Sequence, residues 1–149
     1  MHLKKYRFLM MVIVSLMYLR AVGQTIGIPH ISHYSKQDFS GGTQTMEIAQ
    51  MANGFLVAAN KHGLLVFDGT SWSCFRLPNQ TIMRSIEVVD DRIYCGGQNE
   101  LGYFTFNNQG ATYHSLLEKL PDHIGNIGDV WQIVSHNKTL IIRTSDHFF

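Results

Sequence analysis

From Thr45 onward, short apolar runs alternate with small polar breaks: Phe55 to Ala59, Gly63 to Phe67, Ile93 to Gly97 and Leu101 to Phe106 are rich in Val, Ile, Leu, Phe and Tyr. Runs of this length and composition predict β-strands. The breaks carry turn chemistry, with Asn53 beside Gly54, Asp68 beside Gly69 and Asp90 beside Asp91. Asn and Asp tolerate positive φ and bond their own backbone, and Gly has no Cβ to clash, so two-residue hairpin turns are expected at these pairs. Sustained 3.6-residue periodicity is nearly absent. Its one exception, Ser115 to Leu120 ended by Pro121, predicts a single helical turn in a loop.

The pattern repeats. Glu47 and Ile48 align with Ser85 and Ile86, and Phe55 to Ala59 with Ile93 to Gly97, at an offset of 38 (85 − 47). Treating Gln98 as an insertion aligns Asn60 to Phe67 with Asn99 to Phe106 at 39 (99 − 60), and Gly69 and Trp72 meet Gly110 and Tyr113 at 41 (113 − 72). Length changes of this kind are tolerated in turns. A third copy starts at Trp131, with Gln132 and Ile133 lying 47 residues (133 − 86) beyond Ser85 and Ile86, and Leu140 to Thr144 falling on Ile93 to Gly97. Three or four strands per about 40 residues is the size of a propeller blade. The expected fold is therefore all-β: a partial β-propeller of four-stranded antiparallel blades, about two blades and part of a third, over 46–83, 84–128 and 129–149.

The first 23 residues read as a secretory signal. Lys4, Lys5 and Arg7 precede the apolar stretch Phe8 to Leu19, and Ala21, Val22 and Gly23 supply a small-x-small cleavage site before Gln24. The stretch falls short of the about 20 apolar residues that suit a membrane span, and an uncleaved anchor is the alternative. Residues 24–45 are expected to form an extended segment. Without residues 1–23 the chain keeps 8 of its 12 basic side chains (12 − 4) against 11 acidic ones, a net charge of −3 (8 − 11). No basic stripe is left to neutralise phosphates, which argues against direct nucleic-acid binding. The remaining 126 residues (149 − 23) suffice for one modest domain, whereas closing a propeller takes at least about four blades. Together with the apolar end Phe148, Phe149, this leads to the expectation that the chain is part of a longer protein or a truncated reading frame.

Gly63, Leu64, Leu65, Val66, Phe67, Asp68 and Gly69 before Trp72, then Leu77, Pro78, Asn79, then Arg84, Ser85, Ile86, and finally Gly96, Gly97, Gln98, Asn99, Glu100, Leu101, Gly102, Tyr103, Phe104 form an ordered set. In order and spacing this set resembles the periplasmic sensor region of the two-component regulator propeller proteins of Bacteroidetes, in the branch with a triple-tyrosine domain and a LuxR-type helix-turn-helix. The resemblance covers roughly residues 27 to 149. It implies an extracytoplasmic propeller that senses a small molecule or glycan, followed by a triple-tyrosine domain, a membrane span that anchors the full-length protein in the inner membrane, a coiled coil and a cytoplasmic DNA-binding domain. It leaves homodimerisation of the full-length protein open. Met46 departs from the pattern, standing where family blades often carry an aromatic and where the third copy has Trp131.

Several side chains are candidates for chemistry. Trp72 and Tyr113 occupy equivalent places after a turn; an aromatic there either clamps a sugar or fills the space between blades, and packing is the better reading because a buried aromatic removes about 150–250 Å² from water. Trp131 reads the same way, and Ile48, Ile86 and Ile133 are expected to be structural. Arg84 stands among the apolar equivalents Met46 and Trp131 and needs an acceptor. Glu47 could supply it in a structural pair; otherwise Arg84 holds an anionic ligand bidentately. Asn60, Asn99 and Asp146 are expected to close turns through backbone bonds. Of the eight histidines only His30 and His33 lie close, with no Cys or carboxylate at ligand spacing, so no metal and no cofactor are expected. Cys74 and Cys95 either pair across units or remain buried thiols.

No nucleophile elbow, phosphate loop or zinc-protease helix is present, and the adjacent carboxylates Asp90 and Asp91 fit a solvated turn. The leading expectation is a non-enzymatic, ligand-sensing segment of a signalling receptor. The alternatives are the first blades of an exported enzyme acting on polysaccharide, with its catalytic residues elsewhere, and a protein-binding scaffold.

Overall fold

The computed structural model describes residues 2–18, 27, 29–107 and 110–149 and divides into two compact units, 1–33 and 34–149. In the first, the basic and apolar residues form helix α1 (His2–Tyr18), with Leu3 to Val14 exposed. The expected cleavage site at Ala21 to Gln24 lies outside the described residues. Among those described, no helix is long and apolar enough to cross a membrane.

The second unit is predominantly β, built from antiparallel sheets. It opens with a four-residue helix, α2 (Lys36–Phe39), in the segment expected to be extended. The turn forms because Asp38 accepts from the Ser35 backbone N–H and hydroxyl, a reciprocal cap that fixes the helix start. Three sheets follow in chain order. The first contains β1 (Thr45–Gln50), β2 (Leu56–Asn60), β3 (Gly63–Phe67) and β4 (Trp72–Phe75). The second contains β5 (Met83–Val89), β6 (Arg92–Gly97), β7 (Glu100–Asn107) and β8 (Gly110–Ser115), and the third pairs β9 (Val130–His136) with β10 (Thr139–Thr144). The turn expected near Ser115 to Leu120 is present as a 3-10 turn at Leu117–Lys119.

Of the three expected two-residue turns, Asp90–Asp91 has that form, joining paired Val89 and Arg92 with Asp90 at φ 55°. Asp68–Gly69 belongs to a four-residue loop, because Asp68 Oδ1 accepts from both Thr70 and Ser71 N–H at 2.7 Å and needs both residues to close. The Ser71 and Thr70 bonds hold the Asp68 carboxyl below its ordinary pKa. Gly54, at φ 89°, donates to Met51 O inside a longer loop whose ends are tied by Met51 N–H to Phe55 O.

Strand pairing corrects the repeat register. Asn60 pairs with Gly63 across Lys61–His62, and Gly97 with Glu100 across Gln98–Asn99, so the two hairpins are equivalent at 37 (97 − 60) and Gln98 is no insertion. Aligning the two asparagines had displaced the register: Asn60 ends a strand, whereas Asn99 is a turn residue at φ 51°. The outer positions follow the expected correspondence, since Phe67 faces Trp72 as Phe104 faces Tyr113.

The sheets stack through two cores. Val57, Ala59, Leu64 and Val66 of the first sheet meet Met83, Ile86, Ile93, Cys95 and Phe104 of the second, with Leu77 from the loop between. Leu101 of the second meets Val130, Ile133 and Ile142 of the third, with Ile127. Two carboxylates stitch the first strands side by side: Glu47 Oε2 on β1 accepts from Ile86 N–H at 2.8 Å, and Glu87 Oε1 on β5 accepts from Ser135 N–H at 2.8 Å. Gly96 lies so close to β9 that a Cβ would sit 2.3 Å from Val130 Cγ1, which is why this strand carries no side chain there.

The structural expectation for Ile48 fails. Ile48 is equivalent to Ile86 and Ile133, which are 1 % and 2 % exposed, yet it is 70 % exposed. Ile86 and Ile133 point toward the preceding sheet; Ile48 points the same way from the first sheet, which no other sheet precedes among the described residues.

Candidate recognition site

The sequence positions that open the three first strands share one backbone feature. Pairing slips between Thr45 and Glu47, between Met83 and Ser85, and opposite Thr144 between Val130 and Gln132. Met46, Arg84 and Trp131 are therefore the extra residues of three equivalent β-bulges. A bulge breaks the two-residue alternation and re-aims one side chain, a device common beside binding sites. Met46 and Trp131 are 43 % and 44 % exposed, so Trp131 is not the packing residue expected of it. Its indole Nε1 donates to Ser145 Oγ at 3.3 Å, and its ring carries the Arg84 guanidinium 4.5 Å from the centroid.

Arg84 does not pair with Glu47, which is engaged by Ile86 N–H. Its Nε donates to Asp129 Oδ1 at 2.7 Å, forming an ion pair with the residue just before β9. The guanidinium is thus held by a carboxylate at its edge and an aromatic ring at its face, both contributed by the neighbouring repeat. Among the described residues its side-chain hydrogen bond is made through Nε. Arg84→Lys keeps the charge but loses the Nε bond and the planar stack, and is expected to cost about 1–2 kcal/mol. Thermal melting of Arg84→Lys, Asp129→Asn and the double variant checks this: a coupling of about 1 kcal/mol is expected between the two sites, and additivity would dissociate them.

Next to this pair, the β6–β7 turn and the β8–β9 connection enclose a cavity of about 410 Å³, lined by Asn99, Leu117, Glu118, Leu120, Ile124 and Ile127, among others. Asn99 closes no turn of its own. Its N–H donates to Gly128 O at 2.8 Å and its Oδ1 accepts from Gly128 N–H at 3.0 Å, clamping the connection that leads into Asp129. Asn126 Oδ1 accepts from the same Gly128 N–H at 2.8 Å. Cavity, ion pair and bulges therefore share one end of the sheets.

The other candidates lie elsewhere. Trp72 stacks on Phe67 at 4.9 Å and meets the edges of Tyr34 and Phe39 at 5.6 and 6.1 Å, so it packs against the segment around α2 rather than against another sheet. Its indole N–H is buried without a partner among the described residues. Tyr113 lies T-shaped on Phe104 within the first core, and its hydroxyl donates to Glu100 Oε1 at 2.8 Å. Asn60 closes its turn by accepting from His62 N–H, as expected, and also grips Gly42. Asp146 does not use its side chain in this way; Thr144 Oγ1 accepts from its N–H instead. His30 and His33 are both exposed.

Cys74 and Cys95 are free thiols, one partly and one fully buried, and desolvation pushes both pKa values up. Thiols raised in the fold stay protonated there while the unfolded ones ionise near 9, so this contribution is intact below pH 9 and declines above it. For the fully buried Cys95 a loss of up to about 1.4 kcal/mol per pH unit is expected. Urea titrations from pH 7 to 10 on the chain and on its Cys95→Ala variant measure it, and a pH-independent difference between them would contradict it.

Compared with known proteins, the sequence matches no protein-family model and no curated protein.

Proposed function

We propose that the chain is the extracytoplasmic, non-enzymatic, ligand-sensing segment of a signal-transduction regulator, its three sheets being successive blades of a β-propeller. The observation that carries this reading is the recurrence of one bulge at the same end of three adjacent first strands, where Arg84, Trp131 and the cavity beside Asn99 converge. A repeated, re-aimed position on a stacked scaffold is a way to present variable side chains to a ligand from a constant frame. At that end Arg84 and Asp129 pair with each other, and Glu118 stands on the cavity wall as a single carboxylate among the described residues. Around them lie the Trp131 ring, the amides of Asn99 and Asn126 and the apolar side chains Leu117, Leu120, Ile124 and Ile127, a mixture that suits binding. In this reading the segment acts after signal cleavage outside the cytoplasm, within a full-length protein held in the inner membrane.

The test is calorimetric titration of the chain with neutral, uronate-containing and hexosamine-containing oligosaccharides, followed by chromatography of the recovered sugar. Binding with the sugar returned intact is expected. A cleaved sugar would replace the sensor by an exported enzyme, and failure of the whole panel to bind would remove the glycan-sensing reading.

A further inference from the structure

Asn53 and Gly54, in the 51–55 loop that joins β1 to β2, are the one place in the chain where glycine follows asparagine. Both are exposed, and nothing lies within 4 Å of where a Gly54 Cβ would stand, so no side chain crowds the Gly54 peptide on that side. Asn53 Oδ1 accepts from Phe55 N–H at 3.1 Å. That bond closes an Asx turn, which folds the side-chain carbonyl forward over the Gly54 peptide and polarises it. Every other asparagine is followed by a residue that carries a side chain, and the buried Asn60 has both ends of its amide engaged.

We infer that Asn53 is a self-modifying site, at which the amide becomes a carboxylate and the loop gains a backbone carbon. The Gly54 backbone nitrogen attacks Asn53 Cγ. A new N–Cγ bond closes a five-membered succinimide, the Cγ–Nδ2 bond breaks, and ammonia leaves with the proton that the Gly54 nitrogen carried. Water from the solvent then opens the ring at either carbonyl. Opening at Cγ leaves aspartate; opening at the backbone carbonyl of residue 53 leaves isoaspartate, in which the main chain runs through Cβ and Cγ. Gly54 N–H donates to Met51 O at 2.9 Å, and this bond must open before the nitrogen attacks. It belongs to a largely exposed loop, where such openings cost little. The extra carbon falls between Met51 and Phe55, whose N–H to O bond at 2.9 Å ties the loop ends and whose side chains pack on the first core. Met51, Asn53 and Phe55 also line, with Val66 and Phe106, a cavity of about 60 Å³ beside that core, so the lengthened loop loosens packing there. The inference is independent of the ligand-sensing reading.

Peptide mapping by mass spectrometry tests this on the folded chain, held for days in warm, mildly alkaline buffer made with heavy-oxygen water. Asn53 is expected to convert ahead of every other asparagine, taking up one heavy oxygen atom and giving two products separable by chromatography. The isoaspartate product is expected to be labelled by an isoaspartyl methyltransferase. Gly54→Ala is expected to slow the conversion about tenfold, because the added methyl group crowds the attacking nitrogen. Another asparagine converting first would overturn the proposal, as would Asn53 staying intact in the folded chain, whether or not it converts in urea. An unchanged rate in Gly54→Ala would overturn it too. Chain enriched in isoaspartate is expected to melt about 4 °C below the Asn53→Asp chain, which keeps the Oδ1 acceptor without the extra backbone carbon. Equal melting of the two would overturn the loosening of the loop.

Discussion

Gly63→Ala is expected to destabilise the chain by about 3–5 kcal/mol. Gly63 opens β3 at φ 135°, and a Cβ there would lie 2.2 Å from Phe75 O and 2.9 Å from Arg76 Cα. Both obstacles are backbone of the adjoining strand, so no rotamer change relieves the clash, and the left-handed φ adds strain. Gly69→Ala is the control, because Gly69 has a similar φ of 97° but nothing within 4 Å of a Cβ. Its loss should be about 1 kcal/mol. Urea denaturation followed by tryptophan fluorescence measures both, and equal losses would show that β3 does not lie against β4 in this register.

Asn60→Ala should cost about 3 kcal/mol through a different mechanism. Asn60 is fully buried and uses both ends of its amide: Oδ1 accepts from Gly42 N–H at 2.7 Å and His62 N–H at 3.0 Å, while Nδ2 donates to Gly42 O and Thr45 Oγ1 at 3.0 Å. Alanine leaves several of these groups buried and unpaired, each costing about 1–3 kcal/mol before relaxation. Asn60→Asp keeps the two accepted bonds but turns an acceptor toward Gly42 O and buries a charge, so it should do no better than alanine. Because Gly42 joins the segment around α2 to β1, both variants should also loosen Tyr34 and Phe39 from Trp72. Faster exchange of the Gly42 and His62 amides would show this; a near-neutral Asn60→Asp would mean that the donor side is dispensable.

The strands and their antiparallel order were legible because burial on both faces of a stacked sheet requires near-continuous apolar runs, which Phe55 to Ala59 and Ile93 to Gly97 display. Their stacking neighbours were not. Ile48, Ile86 and Ile133 are identical residues at equivalent positions, and only the presence of a preceding sheet distinguishes a buried from an exposed one. The bulges were hidden for a related reason: one extra residue shifts alternation by one, and Met46, Arg84 and Trp131 look like ordinary strand positions until pairing is known. Equivalence did identify these three residues as a set, which was the usable signal. Arg84 was assigned Glu47 because the neighbouring unit offered a carboxylate, but Glu47 is taken by a backbone N–H, and Asp129 lies in a linker outside the aligned runs. The asparagines misled the register in the same way, since residue identity said nothing about which one would adopt positive φ.

Hydrogen–deuterium exchange of the chain with and without a bound oligosaccharide from the titration panel tests the proposed sensing end most directly. Protection is expected in residues 83–86, 97–100 and 126–132, the stretches that carry two of the bulges, the Asn99 turn and the cavity wall. Protection confined to the opposite end of the sheets, at 51–55 and 89–92, would contradict the account.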